Sequence, residues 1–480
     1  MAEVLGSLLS FPPEQGVPVG TKEYDTRAVA YIKQLNQVQP ATWLAPVDKQ
    51  NILDVISPSV NSLPYLYALN VQANDDTVND GDRLVQWVTH ATNFLQTFDP
   101  IQIRYEGGQW SKFLHTILRI HETQGTQNVS AVISAVLRLD PTAGTFTTWH
   151  SRIVKLCLAA GIPSQALPIL NKDIFAYPQD YPKHVSEDSV SDLTNLSNAF
   201  VTTKSGFTAR ITPEMVLEYY LLGAQIYLGV GKLQRARLFL EYVLLSPTIQ
   251  HAVSALQVEA YKKWVLAGLL AEGQPFPLPK TINQSILKAV RSSSKAYDSL
   301  ADSASKRDWK KFQAELDRGQ EIWNGDGNSS LVQKASDILL HFSINDLSKT
   351  FAALPVTRVA SYLDLSVDAT LQILASMASA GSLHVNVTGQ GANAVLRFRT
   401  QDAQDDQLTS TEAQTERIKT LAAYIQDADR RLQLSKEYLD SQKRQKLFGG
   451  PDGDTADAMD ISYDAPGLLD EDIGDEDIMD

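Results

Sequence analysis

Only one cysteine, Cys157, occurs in the 480 residues. An internal disulfide framework is therefore impossible, and a thiolate metal site has no ligand set, which suits a reducing compartment. Cys157 lies in the run Ile153-Val154-Lys155-Leu156-Cys157-Leu158 and reads as a small buried apolar residue. Long apolar runs are missing too. The longest, residues 264–271, is far too short to cross a bilayer. The start, Met1-Ala2-Glu3, carries no signal-peptide pattern, and no lipidation signal is present. The expectation is a soluble protein of cytoplasm and nucleus, not bound to a membrane. With 26 Gly and 21 Pro, loop formers are modest for this length. Apolar residues make up 43%, enough for a sizeable core, and the length allows roughly two to four domains.

Positive charge is absent where negative charge collects. Residues 449–480 hold twelve Asp or Glu and no Lys or Arg, so the net charge of −14 leaves only −2 on the first 448 residues. A near-neutral body attracts neither nucleic acid nor an anionic membrane. Paired carboxylates such as Glu471-Asp472 sit in a solvated tail, where no fixed environment can split their pKa values for acid–base work.

Catalytic constellations are lacking as well. None of the eight histidines lies at the spacing of a helical zinc pair, and His121-Glu122 has no second histidine. There is no His-x-His with a downstream Asp, no phosphate loop and no Gly-x-Ser-x-Gly elbow. Gly389-Gln390-Gly391 lacks a third glycine and joins two strand-like runs, so it reads as a hairpin turn. The expectation is a protein that is not an enzyme and needs no cofactor or metal.

What the chain does have is helical periodicity. Trp110, Phe113, Ile117 and Ile120 recur at spacings of three and four, as do Val129, Ile133, Val136 and Leu139, then Trp149, Ile153, Leu156 and Ala160. Short helices with one apolar face must stack to bury it, which predicts an α-solenoid. The clearest unit follows Thr212-Pro213, a cap and a first-turn proline. Val216, Tyr220, Ala224 and Tyr227 form one stripe. Gly229-Val230-Gly231 turns the chain, and Leu233, Ala236, Leu240 and Val243 form the second. This small–large pattern is tetratricopeptide-like. A third stripe holds Val253, Leu256, Ala260, Trp264 and Ala267. Residues 178–209, rich in Ser, Asp, Asn and Thr, read as a long exposed insertion or mobile loop, and residues 271–280 as a second break.

Towards the C-terminal end the pattern changes. Residues 344–354, 355–363 and 367–380 read as three short helices, with Ser366 a cap and Gly381 a stop. Leu383, Val385 and Val387 then alternate with polar residues, and 394–399 read as a returning strand with Leu396 and Phe398 on one face. Three helices followed by a β-hairpin make a winged helix. Its third helix carries no Lys or Arg and one acid, Asp368, so it lacks the phosphate contacts a DNA reader needs. Residues 411–446 read as one long polar helix with a loose heptad of Ile418, Leu421, Ile425, Ala428, Leu432 and Leu439. The acidic tail beyond is expected to be disordered.

Helical repeats, a winged helix and a long terminal helix, in this order, resemble the PCI-domain family shared by the proteasome lid, the COP9 signalosome and translation initiation factor three. More specific wording lies between Leu217 and Gly273. It comprises Glu218-Tyr219-Tyr220-Leu221-Leu222-Gly223-Ala224-Gln225-Ile226-Tyr227-Leu228-Gly229, Arg235-Ala236-Arg237-Leu238-Phe239-Leu240-Glu241, Ser246-Pro247 and Glu259-Ala260-Tyr261-Lys262-Lys263-Trp264-Val265-Leu266. With Ala166-Leu167-Pro168-Ile169-Leu170 and Leu347-Ser348-Lys349-Thr350-Phe351, these strings resemble the signalosome subunit 3 family, tightly over residues 166–398 and loosely over the N-terminal third. The stretch at 178–209 departs from the animal form and points to a fungal member.

The resemblance implies an all-α fold: N-terminal repeats over 1–212 with a flexible insertion near 178–209, and a PCI domain over 213–400. The PCI domain divides into repeats over 213–340 and a winged helix over 341–400. A C-terminal bundle helix over 408–447 and an acidic tail over 448–480 follow. It implies a non-catalytic scaffold in a hetero-oligomer that removes Nedd8 from cullins, with subunits 1 and 8 as neighbours. Expected interface residues are Leu383, Val385, Leu396 and Phe398 on the hairpin and Ile418, Leu421, Ile425, Leu432 and Leu439 on the terminal helix. The alternatives are a subunit of another PCI complex, the proteasome lid or translation initiation factor three, and a winged-helix nucleic-acid binder.

Overall fold

The computed structural model describes residues 2–12, 17–47, 49–73, 81–124, 129–179, 189–192, 196–247, 253–363, 365–379, 385–388 and 394–398, together with single positions between 411 and 425. Residues 1–401 form one compact unit and 402–480 another. Among the described residues the first unit contains twenty-one α-helices and one small sheet. The helices are α1 (Ala2–Leu8), α2 (Lys22–Leu35), α3 (Pro40–Leu44), α4 (Ile52–Val55), α5 (Ser62–Gln72), α6 (Gly81–Thr97) and α7 (Pro100–Ile103). Then come α8 (Gly107–Gln124), α9 (Val129–Leu139), α10 (Thr148–Ala159), α11 (Leu167–Leu170), α12 (Pro213–Val230), α13 (Leu233–Leu245) and α14 (Ala255–Glu272). The series ends with α15 (Gln284–Ser293), α16 (Lys295–Ser305), α17 (Trp309–Arg318), α18 (Gln320–Gly325), α19 (Ser329–Thr350), α20 (Val356–Leu363) and α21 (Val367–Ser379).

Each helix packs chiefly on near neighbours in the chain: α5 on α6 and α8, α12 on α10 and α13, α14 on α13, α16 and α19. This is the layout of stacked helical repeats. One apolar core runs through it from Leu8 to Leu339.

The unit from α12 to α14 shows how the sequence dictates the geometry. The Thr212 hydroxyl accepts from the Met215 N–H at 3.4 Å, and Pro213 occupies the first turn, where a missing N–H costs nothing. Gly231 ends α12 in the left-handed region at φ 81°, which L side chains resist. Ala224 and Ala236 are wholly buried, letting α12 and α13 approach, and the Tyr227 ring meets Phe239 edge-on at 5.1 Å. Ser254 and Gln257 form a reciprocal capping box that starts α14.

The expected single stripes understate the burial. In α12, Tyr219, Leu221, Gly223, Ile226 and Leu228 are buried along with Tyr220, Ala224 and Tyr227 of the stripe, because α10, α13 and α14 all pack against it. Helix α14 is likewise covered all round and holds a buried polar network. Lys262 pairs with Asp326 at 2.7 Å, the Tyr297 hydroxyl donates to Asp326 at 2.8 Å, and Asn328 donates to Tyr297 at 2.8 Å. Lys263 lies between Asn328 and Glu259. Each charge in this network has a partner, as low dielectric demands.

Two sequence readings need correction. The stretch 178–209 is not exposed throughout its described parts: Ser189, Ser191, Ser197, Phe200, Val201 and Phe207 are buried, while Gln179, Thr203, Lys204 and Ala209 are exposed. Its polar composition misled because the hydroxyls are used internally. Ser197 hydrogen-bonds Thr145, and Ser111 donates to the Gly206 carbonyl. The second correction is at residue 354. Helix α19 begins at Ser329 and stops at Thr350, and Ala353–Pro355 is a strand, β1, rather than the end of a helix. Three residues are too few for a period-two signal, and Pro355 is tolerated because the strand lies at an edge.

Strands β2 (Val385–Thr388) and β3 (Val395–Phe398) complete a sheet ordered β1-β3-β2, antiparallel throughout. Leu354 stands opposite Leu396, and Val385 opposite Phe398. The Ser366 hydroxyl accepts from the Ala369 N–H at 3.2 Å, capping α21 as expected. Helices α19–α21 and this sheet form the winged helix, with a core of its own: Ile344, Leu354, Val356, Val359, Leu363, Leu374, Met377, Ala394 and Leu396.

Candidate interaction surfaces

The winged helix is held to the repeats by α19. At the turn before α17, Arg307 donates to Asp346 on α19 at 2.9 Å and to the Gly273 carbonyl at 2.6 Å, with its guanidinium over the Phe342 ring. Lys349 donates to the same carboxylate at 2.8 Å. Hydrogen bonds from Lys349 and then Arg307 outweigh desolvation and hold Asp346 below the usual carboxylate range.

The sequence-derived hairpin residues separate into different roles. Leu396 is fully buried in the winged-helix core, so it shapes the surface without forming it. Phe398 is half-buried against the same core, with its N–H bonded to the Ala352 carbonyl at 3.0 Å. Val385 is in β2, whose outer side has no strand partner among the described residues. Leu383 lies outside the described residues. An unpaired strand edge offers N–H and C=O groups to an incoming strand.

Sequence reading missed two exposed side chains, Phe351 after α19 (42% exposed) and Tyr362 on α20 (51%). The signal was present. Val356, Val359, Ala360 and Leu363 are the buried face of α20, and Tyr362 is an aromatic off that face. The outward positions of α21, Asp368, Gln372, Ala375, Ser376 and Ala378, are small, acidic or uncharged, with no Lys or Arg. Such a face permits close protein packing and repels a phosphate backbone.

In the second unit, the described positions between 411 and 425 are helical, and Ile418, Leu421 and Ile425 are 65%, 53% and 55% exposed. Their spacing of three and four puts them on one face. Leu432 and Leu439 lie outside the described residues.

Tyr65, His90 and Asp54 lie in a line, with Tyr65 hydroxyl to His90 Nδ1 at 3.1 Å and His90 Nε2 to Asp54 at 3.4 Å. Tyr65 is fully buried, and burial raises its hydroxyl pKa far above the ordinary value, with Asp54 adding to the effect. The line ties α4, α5 and α6 together. Cys157 is buried and its thiol is pushed up to about 11, the opposite of an activated nucleophile. Among the described residues no group of three or more His, Cys, Asp or Glu is placed to hold a metal ion, and no helix is long and apolar enough to cross a membrane. A groove of about 980 Å³ opens beside the starts of α12 and α14, lined by Tyr177, Ile211, Val216, Pro247 and Val253 among others, with no histidine or cysteine among the described residues of its lining.

Comparison with known proteins agrees with this architecture. Residues 32–286 match the family model for the N-terminal helical repeats of COP9 signalosome complex subunit 3. The match takes in the N-terminal third, where the resemblance in wording was loose. The chain is 34% identical over 373 residues to COP9 signalosome complex subunit 3 of Emericella nidulans, covering 75% of this chain and 74% of that protein. It is 26% identical over 458 residues to the protein of that name from Neurospora crassa, covering 90% of each. Both relatives are fungal. The chain belongs to the COP9 signalosome complex subunit 3 family.

Proposed function

We propose that this protein is a non-catalytic scaffold subunit of the signalosome, acting in cytoplasm and nucleus, within the assembly that removes Nedd8 from cullins. It holds its neighbours, subunits 1 and 8, through two surfaces. One is the winged helix, with the free edge of β2 and the exposed Phe351 and Tyr362. The other is the terminal-helix face of Ile418, Leu421 and Ile425, continued in sequence by Leu432 and Leu439. The single observation that carries the reading is the exposure of three large apolar side chains on one helix face, in a chain of this family. Left in water, each forgoes roughly 1.5–3 kcal/mol that burial would supply, so such a face calls for a partner helix.

The test is a tagged pull-down from cells in which Ile418, Leu421, Ile425 and Leu432 are replaced by Asp. The variant should keep a folded body and lose the other subunits. Recovery of the full assembly at wild-type yield would remove the terminal helix from the proposal. Identification of the recovered proteins by mass spectrometry also separates the signalosome from other PCI complexes.

A further inference from the structure

One carboxylate holds the described start of the 189–209 segment onto the N-terminal repeats. Asp25 on α2 accepts from Ser189 Oγ at 2.6 Å, the Val190 N–H at 3.0 Å, Ser191 Oγ at 2.8 Å and the Tyr105 hydroxyl at 2.5 Å. Arg104 closes the clasp from the other side, donating to the carbonyls of Val190 at 3.1 Å and Asp192 at 2.7 Å. The Gly20 N–H donates to Ser191 Oγ at 3.0 Å, so the approach to α2 is gathered in as well. Burial alone would raise the Asp25 pKa, but hydrogen bonds from Ser189, Tyr105, Ser191 and Val190 outweigh it and keep the carboxyl below its usual range.

The clasp is polar, whereas the apolar anchors of the segment lie further on, at Phe200, Val201 and Phe207. Those have fastenings of their own, Ser197 with Thr145 and Ser111 with Gly206, and the Arg104 guanidinium lies over the Phe200 ring at 4.7 Å, a contact that does not involve Asp25. Residues 189–192 can therefore open locally while 196–207 stay docked. The clasped serine also sits in an acidic sequence, Glu187-Asp188-Ser189-Val190-Ser191-Asp192. Acids on both sides of a serine suit a kinase with a basic substrate groove.

We propose that Ser189, whose hydroxyl is clasped by Asp25 within an acidic run, is a phosphorylation site modified in the open form of the clasp and that its phosphate holds the clasp open. The γ-phosphoryl group of ATP passes to Ser189 Oγ: the new P–O bond forms, the β–γ bridge breaks, ADP leaves and the hydroxyl proton goes to the kinase base. The product carries about −1.5 to −2 charge. It cannot return to a site where its oxygen lay 2.6 Å from an ionised carboxylate. Modification thus traps the open state by selection, without needing access to the closed one.

The test uses the full chain, ATP and an acid-directed serine kinase, with phosphate located by mass spectrometry and the clasp read by amide hydrogen exchange. Wild type should be labelled at Ser189. Asp25→Asn, which withdraws a charged acceptor, should be labelled about tenfold faster or more, the effect of losing a charge-assisted hydrogen bond. In the labelled wild type, amides 190–192 should lose protection while 197–207 keep it, and Ser189→Ala should show neither change. Failure to label Ser189 in both wild type and Asp25→Asn would overturn the proposal. So would labelled protein that retains full protection at 190–192, because Arg104 would then be accommodating the phosphate in place.

Discussion

His150 caps its own helix from a fully buried position. The Thr147 N–H donates to its Nδ1 at 3.0 Å, so the ring proton sits on Nε2, which donates to the Ala143 carbonyl at 3.0 Å. That bond supports Ala143 in the left-handed region at φ 44°. Burial lowers the imidazole pKa, and its hydrogen bonds to Ala143 and Thr147 only partly oppose this. The unfolded chain takes up the proton near the ordinary value of about 6.5, the folded chain only at lower pH. Between the two values the unfolded state binds more protons, so stability falls as pH drops through that window. His115, lowered by burial and by Arg152, has the same sign. Replacing His150 with Gln, the usual third-position partner of a Thr cap, should preserve the helix and reduce the slope of denaturant midpoint against pH. The removed part is up to about 1.4 kcal/mol per pH unit. An unchanged slope would mean that His150 is not a buried neutral cap. Two glycines offer a second comparison. A Cβ on Gly223 would meet Phe239 and Leu170 side chains at 2.8–2.9 Å, and one on Gly268 would meet backbone atoms of Gln274, Pro275 and Phe276 at 2.7–2.9 Å. Side chains shift more readily than backbone. Gly223→Ala should cost about 1–3 kcal/mol, and Gly268→Ala should cost more in the same unfolding assay.

At the scale of elements, the winged helix depends on very few residues. Leu396 on β3 is fully buried and stands opposite both Leu354 of β1 and Val387 of β2. Leu396→Ala should cost about 2–5 kcal/mol, enough to melt the small core, while the helices from α2 to α18 keep their protection in hydrogen exchange. Loss of protection throughout would mean that the two cores fold as one. This element also shows what a sequence can reveal. Residues 356–363 and 367–379 were readable because the apolar residues recur at three and four and Ser366 supplies a cap. The alternation from Val385 and the run to Phe398 were readable because strands have period two. Strand β1 was not, since three residues carry no period and its partner lies some forty residues later in the sequence. The docking of residues 189–207 was hidden for a related reason. Serines and a glycine-flanked Phe207 look like loop composition until Asp25, Arg104 and Ser111 are brought to them from far earlier in the chain. Of the candidate surface, the exposed face at Ile418, Leu421 and Ile425 was legible from its heptad, whereas Phe351 and Tyr362 required knowing which side of α20 is buried.

At the scale of the whole first unit, a large core and a small one meet in a single helix. Val332, Ala335 and Leu339 of α19 belong to the core of the repeats, and Ile344 of the same helix belongs to that of the winged helix. Fully buried Trp43, Trp110 and Trp264 stand among many others in the repeats, while nine buried apolar residues hold the winged helix. Hydrophobic stabilisation scales with buried apolar area, and regions with less of it open first. In the isolated chain, amides in α20 and α21 should therefore exchange faster than those in α12 and α13. Under the proposed scaffold role, the winged helix should gain stability at its contact surface on assembly. A partner at a hundred times its dissociation constant contributes about 2.7 kcal/mol, so exchange through global opening of the winged helix should slow by about a hundredfold in the complex. The buried interior of α12 and α13 should change far less. Equal rates in the free chain would show that α19 couples the two cores into one cooperative unit, and unchanged exchange in α20 and α21 upon assembly would remove the winged helix from the contact surface.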